Sequence, residues 1–164
     1  MTTVAITGHR PERIPDMDAM AEALRESFLE LEVTKVIQGM AAGIDLLAAK
    51  TAYNLHVPFV SARPWAGHYC RKEDEYDYLR AIQKAEEVVI IHDSEKYPGP
   101  WVYQKRNEWM VDRAELVIAV WDGEPKGGTY NCVKYAHDVK KLPICMIHPE
   151  AGYGVLYESG EPLA

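Results

Sequence analysis

The chain has 164 residues, 48% hydrophobic and 26% charged, with 25 acidic side chains against 18 basic ones and a net charge of −7. That length suits one domain able to bury roughly two thirds of its unfolded surface, so no disulfide or metal is needed to hold it together. The acidic balance excludes a broad surface for polyanions and leaves room only for a local basic groove. No apolar run approaches the ~20 residues of a membrane span, and MTTVAITGHR at the start carries no secretory pattern.

The first run, Thr3–Thr7, is β-branched and apolar and is closed by Gly8, which predicts a strand. A PERIP turn leads into a helix capped by Asp16 or Asp18, with Met17, Ala21, Leu24, Phe28 and Leu31 on one face. Lys35–Gln38 is the second strand, closed by Gly39. A helix from Gly43 follows, its inner face made by Ile44, Leu47, Ala48, Ala52 and Leu55. Strands are predicted at 58–62, 88–91, 116–120 and 144–147, and helices at 72–84, 101–113 and 129–140. Strands apolar on both faces and separated by helices of this length form βαβ units. The expected fold is therefore a single Rossmann-like α/β domain over residues 1–148, with a mostly parallel sheet of about six strands and helices on both faces. Residues 149–164, rich in glycine, proline and acid, read as a loop or tail.

Cys70, Cys132 and Cys145 are odd in number and form no CxxC pair, so they read as reduced thiols of a cytoplasmic protein without a metal site. No GxSxG, HExxH or zinc-deaminase pattern is present, nor the GxGxxG or GxxxxGK[ST] fingerprints.

Ligands of open parallel sheets bind beyond the carboxyl ends of the strands. Three glycine-bearing segments fall there: Thr7-Gly8-His9-Arg10, then Gly39-Met40-Ala41-Ala42-Gly43-Ile44-Asp45, then Asp122-Gly123 through Gly127-Gly128-Thr129. Unpaired amides at a helix start, half a positive charge there, and glycines that admit a close neighbour all favour a phosphate. Gly8, Arg10, Gly39, Gly43, Gly127, Gly128 and Thr129 are the candidate phosphate contacts, with His9, Met40, Ala41, Asp122 and Gly123 beside them. Asp45, Arg106, Asn107 and Asn131 are candidates for ribose, base or supporting contacts. Each has a plainer reading: tight turns for the glycines, an N-cap for Thr129, a dipole partner for Asp45, and solvent-facing positions for Arg106 and Asn107. Trp65, His68 and Tyr69 form either a surface loop or an aromatic wall over a base.

The segments ITGHRP at 6–11, GMAAGIDLLAA at 39–49 and RNEWMVDRAELVIAVWDGEPKGGTYNCVKYA at 106–136, in that order, resemble the YpsA-like branch of the SLOG superfamily. That superfamily also holds the DNA-processing protein DprA and the LOG phosphoribohydrolases. The resemblance implies a Rossmann-like domain that binds a nucleotide or nucleotide-derived ligand at its glycine loops, commonly as a homo-oligomer, and it implies no defined reaction. LOG-type hydrolases carry a glutamate shortly after the threonine of their glycine stretch, whereas Thr129 here is followed by Tyr130, Asn131, Cys132 and Val133. Asp45, Asp112 and Asp122 are the carboxylates that remain as catalytic candidates. Three functions stand open: a module that senses or sequesters a nucleotide, an N-glycosidic hydrolase or transferase, and a DprA-like single-stranded DNA accessory protein. The last requires Arg63, Arg71, Lys72, Lys105 and Arg106 to gather near the loops.

Overall fold

The computed structural model describes residues 1–163. Six strands, β1 (Thr2–Gly8), β2 (Val33–Gln38), β3 (Phe59–Trp65), β4 (Glu87–His92), β5 (Leu116–Val120) and β6 (Ile144–Ile147), run parallel in one sheet. A seventh, β7 (Gly154–Tyr157), pairs antiparallel with β6, so the spatial order is β4-β3-β2-β1-β5-β6-β7. The expected Rossmann-like α/β fold is present with one strand more than predicted. The reading of 149–164 as loop or tail is corrected at 154–157, where Gly154 faces Ile147 and Tyr157 faces Ile144.

The helices α1 (Met17–Glu30), α2 (Ile44–Asn54) and α3 (Glu75–Gln83) cover one face. Met20, Leu24 and Phe28 of α1, Ile44 and Ala48 of α2, and Tyr78 of α3 pack there on Val4, Ile6, Val36 and Phe59. The helices α4 (Trp101–Asp112) and α5 (Gly127–Lys134), the latter continued by a π-helical turn at Tyr135–Val139, cover the other face. Met110, Val111, Cys132, Val133 and Ala136 meet Ala5, Ile37, Val60, Val117 and Ala119. Alternation along β1, with Val4 and Ile6 to one side and Ala5 to the other, divides the interior into two layers.

The chain moves outward from β1 through β2, β3 and β4, then crosses back to β5 on the other side of β1. The strand order reverses between β1 and β5, and a crevice opens beyond their carboxyl ends. Gly8 closes this seam, because a Cβ there would lie 2.5 Å from Cβ of Ile44 at the start of α2. Its role is helix-to-sheet packing.

Gly8→Ala therefore forces α2 off the sheet and should lower stability by about 2 kcal/mol in urea unfolding. Gly152→Ala, where an added Cβ meets nothing within 4 Å, should stay within ~0.5 kcal/mol of the parent.

Candidate functional site

The loop after β2 is shaped by a polar group inside the core. Gln38 is fully buried; its Nε2 donates to Ser61 Oγ (2.8 Å), and its Oε1 accepts from the Met40 backbone N–H (2.7 Å). That bond holds Met40 in the left-handed region at φ 65°. Gly43 follows at φ 90° as the cap of α2, packed too closely on the His9 carbonyl for a side chain. The turn leads into Asp45, 4% exposed, whose Oδ2 accepts the Ala41 N–H at 3.2 Å. Burial raises the Asp45 pKa, against the opposing pull of Arg106, the Ala41 and Gly39 amides, and Arg10.

From the opposite face α4 sends Arg106 across the same loop. Its Nη1 donates to the Gly39 carbonyl (2.9 Å) and its Nη2 to Asn107 Oδ1 (3.1 Å). Gly39 is glycine because a Cβ there would sit 2.6 Å from Arg106 Nε. Arg106 Nε itself is buried and has no hydrogen-bond partner. Asn107 Nδ2 reaches the Gly128 carbonyl at 3.4 Å and so ties α4 to the start of α5. The solvent-facing reading of Arg106 and Asn107 is corrected: they are 9% and 2% exposed.

Together these elements enclose a cavity of about 440 Å³, lined by Thr7, Gly8, His9, Arg10, Glu12, Arg13, Ala41, Asp45, Tyr103, Arg106, Asn107, Gly128 and Thr129. The volume lies in the ~300–1,000 Å³ range of small-molecule sites. Its position is the crevice where the strand order reverses. Arg10 is exposed on its rim, and its side chain makes no ion pair or hydrogen bond among the described residues. The cap of α5, Lys126, offers no side-chain hydrogen bond, so the first turn leaves its amides open. A Cβ added at Gly128 would meet nothing within 4 Å. The Thr129 side chain forms no hydrogen bond among the described residues, which removes its reading as an N-cap.

The remaining candidates divide. Gly39, Met40 and Gly43 support the loop from outside the cavity lining. Asp122 stands beside it, ion-paired with Arg13 and 3.4 Å from His9 Nε2. Burial acts to raise the Asp122 pKa, yet the Glu124 amide, His9 and Arg13 together hold it low. Gly123 and Gly127 have positive φ and shape the loop. Two candidates are corrected. Asn131 points outward, exposed, and lines nothing in the cavity. Asp112 sits at the far end of α4, bonded to Tyr135 Oη (2.6 Å) and near Lys140 (3.5 Å).

Thr7, Glu12, Arg13 and Tyr103 line the cavity and were not singled out from the sequence. Tyr103 precedes Arg106 by three residues, a helical spacing that places both on one face. It belongs to an aromatic group with Trp65 (5.9 Å) and Tyr97 (6.1 Å), and His68 joins through Trp65 at 4.8 Å. Tyr69 instead packs on Tyr78 and bonds Glu75. Of the basic residues that a DNA groove requires, three are engaged within the chain. Arg63 bonds Tyr78 and the His68 carbonyl, Arg71 pairs with Glu12 and Asp74, and Lys105 lies over Trp101.

Comparison with known proteins agrees with this architecture. A family model described as the YspA SLOG family matches residues 4–151. The SPbeta prophage-derived protein YoqJ of Bacillus subtilis (strain 168) is 29% identical over 142 residues, covering 77% of this chain and 82% of that protein. A UPF0398 protein of Bacillus thuringiensis (strain Al Hakam) is 24% identical, covering 83% of each. Among solved structures, DNA processing protein A (DprA) from Streptococcus pneumoniae superposes with a TM-score of 0.66 at 14% identity, covering 89% of this chain. The molybdenum cofactor carrier protein from Chlamydomonas reinhardtii does so with 0.59 at 14%, covering 93% of this chain and 77% of that one. The chain spans only half the length of the pneumococcal DprA chain.

Two histidines make stability pH-dependent. Burial, then Arg106, Arg63 and Arg10, lowers the His68 pKa to about 4. Burial and then Arg13 lower that of His9, whose Nε2 accepts the Asp122 N–H at 3.2 Å and is therefore neutral. A histidine with a depressed folded-state pKa contributes fully above its unfolded value near 6.5 and loses that contribution as pH falls toward the folded value. Stability should accordingly drop between about pH 6.5 and 4. His68→Gln should flatten that slope by on the order of 2 kcal/mol in urea melts across the range.

Proposed function

The chain belongs to the YspA SLOG family, and on that premise we propose that it is a binding module for a nucleotide or nucleotide-derived small molecule. The observation that carries this reading is the cavity at the strand-order reversal, with an unpaired Arg10 and the open first turn of α5 on its walls. An anionic group fits against the Gly128 and Thr129 amides, the Thr129 hydroxyl and the Arg10 fork. Asp45 then faces the ligand as the hydrogen-bond partner of a ribose hydroxyl, and Tyr103 offers a ring face to a base. Sensing or sequestration needs no more than this. Placement in the cytoplasm is part of the same proposal.

One observation favours a second reading, N-glycosidic cleavage. Asp45 is a buried carboxyl inside the cavity with a raised pKa, which suits a general acid. The two readings separate in one chromatographic assay. The protein is incubated with mononucleotides, ADP-ribose, NAD and cyclic nucleotides, removed by filtration, and every peak is quantified. Binding predicts that one peak is depleted and returns when the protein is denatured. A free-base peak that disappears in Asp45→Asn would replace the binding module with an enzyme.

Gly128→Ala tests the phosphate assignment. The added methyl finds open space in the protein but occupies the position of the anion. Affinity for the retained ligand should fall at least about tenfold, roughly 1.4 kcal/mol, in equilibrium dialysis, with thermal stability unchanged or slightly higher. Unchanged affinity would remove the α5 N-terminus from the site.

A further inference from the structure

The far end of α2 meets α3 in a second depression. Tyr53 lies about 14 Å along α2 from Ile44, away from the strand-order reversal. The floor is apolar and buried, made by Leu46 and Ala49 of α2, Phe59 of β3 and Ala81 of α3. Its volume is about 220 Å³, half that of the cavity at the strand ends. Tyr76, Arg80 and Lys84 recur at four residues and so form one row along α3, while Lys50 and Tyr53 face them from α2. The Arg80 guanidinium lies 5.1 Å from the Tyr53 ring and 5.6 Å from the Tyr76 ring, and the Lys84 ammonium 5.7 Å from Tyr53. Lys50, Arg80 and Lys84 form no ion pair among the described residues, and the Arg80 side chain forms no hydrogen bond there either. Every other arginine except Arg10 is engaged: Arg13, Arg25 and Arg71 with carboxylates, Arg63, Arg106 and Arg113 with main-chain carbonyls. Asp77 is the single carboxylate of the lining and pairs with none of the three cations. An arginine stacked on aromatic rings is held in place with N–H groups to spare, so a carboxylate meets it at a reduced ordering cost.

We propose that this groove docks an acidic segment of a partner protein, with one large apolar side chain on the floor and neighbouring carboxylates on Arg80, Lys50 and Lys84. Size argues against a free small molecule as the occupant, since 220 Å³ is below the ~300 Å³ at which such sites begin. The apolar floor argues against a nucleic acid, because a phosphate backbone leaves it unfilled and the net charge of −7 repels a long polyanion. Tyrosine and arginine around a buried apolar pit are the residue types that anchor protein–protein contacts. Three uncompensated cations on an acid-rich chain supply the charge complementarity that selects an acidic partner. No residue lines both this groove and the cavity at the strand ends, so the docking site is independent of the nucleotide reading.

The test is an amide chemical-shift titration of the labelled full chain with a capped peptide, one phenylalanine between two runs of glutamates. Titrating to about 5 mM reports millimolar binding. Saturable shifts are expected at Lys50, Tyr53, Arg80 and Lys84, with Thr7, Gly128 and Thr129 unmoved. Replacing the phenylalanine by serine, or the glutamates by lysines, should weaken binding at least about fivefold. Arg80→Gln removes the charge from a half-buried surface position and should weaken it by a similar factor. If that variant fails to fold, Lys84→Gln carries the test, and circular dichroism verifies both. Nucleotide retention by Arg80→Gln should match that of the parent, so the two readings fail separately. The proposal is overturned if the acidic peptide gives no saturable shift, if the serine or lysine peptide binds equally well, or if the folded variants bind as the parent does. Equal or tighter binding of a short oligothymidylate at the same amides would also overturn it, making the occupant a nucleic acid.

Discussion

The guanidinium of Arg106, laid over Gly39 and bonded to its carbonyl, joins the two halves of this molecule where its cavity forms. It reaches from α4, on one face of the sheet, to the turn that starts α2 on the other. With that contact in place, Asn107 is carried to the start of α5 and Tyr103 to the cavity wall. The buried arginine also supplies a positive field that opposes the burial cost of Asp45 and, after burial itself, helps lower the His68 pKa. Its uncompensated Nε is a cost that the fold carries at this position.

The glycines around the cavity do different work from one another. Gly8 and Gly39 are excluded volumes: one admits Ile44 and the other admits Arg106. Gly43 is needed for its backbone conformation and for the closeness of the His9 carbonyl. At Gly128 neither reason applies, since its φ is ordinary and its surroundings are empty. In the proposed reading an anion approaches this turn together with Arg10, and the open space beside Gly128 admits it.

The architecture was legible because every central strand is apolar on both faces and its helices repeat at 3.6 residues. The edges were harder to read. At four residues, flanked by glycine, proline and acid, β7 carries too little pattern to stand out, and its pairing with β6 is a long-range event. In the cavity, the residues just beyond the strand ends followed from topology: Gly8, His9, Arg10, Ala41, Asp45, Gly128 and Thr129 all line it. Direction within α4 was not legible, because its polar residues point inward to a polar cavity and erase the usual contrast between faces. Asp112 shows the same limit. It lies six residues beyond Arg106, about 9 Å along the helix, and so at the wrong end of the sheet. Arg13 and Tyr103 lie outside the glycine loops and became visible only when the elements were assembled.

The central claim is that a nucleotide-type ligand sits over the first turn of α5 at the reversal of strand order. The direct measurement is an amide chemical-shift titration of isotopically labelled protein with the nucleotide retained in the binding assay. The account predicts saturable shifts concentrated at Thr7, His9, Ala41, Gly128 and Thr129, with the flank between α2 and α3 undisturbed. Shifts centred instead on that flank, around Tyr53 and Arg80, would contradict it.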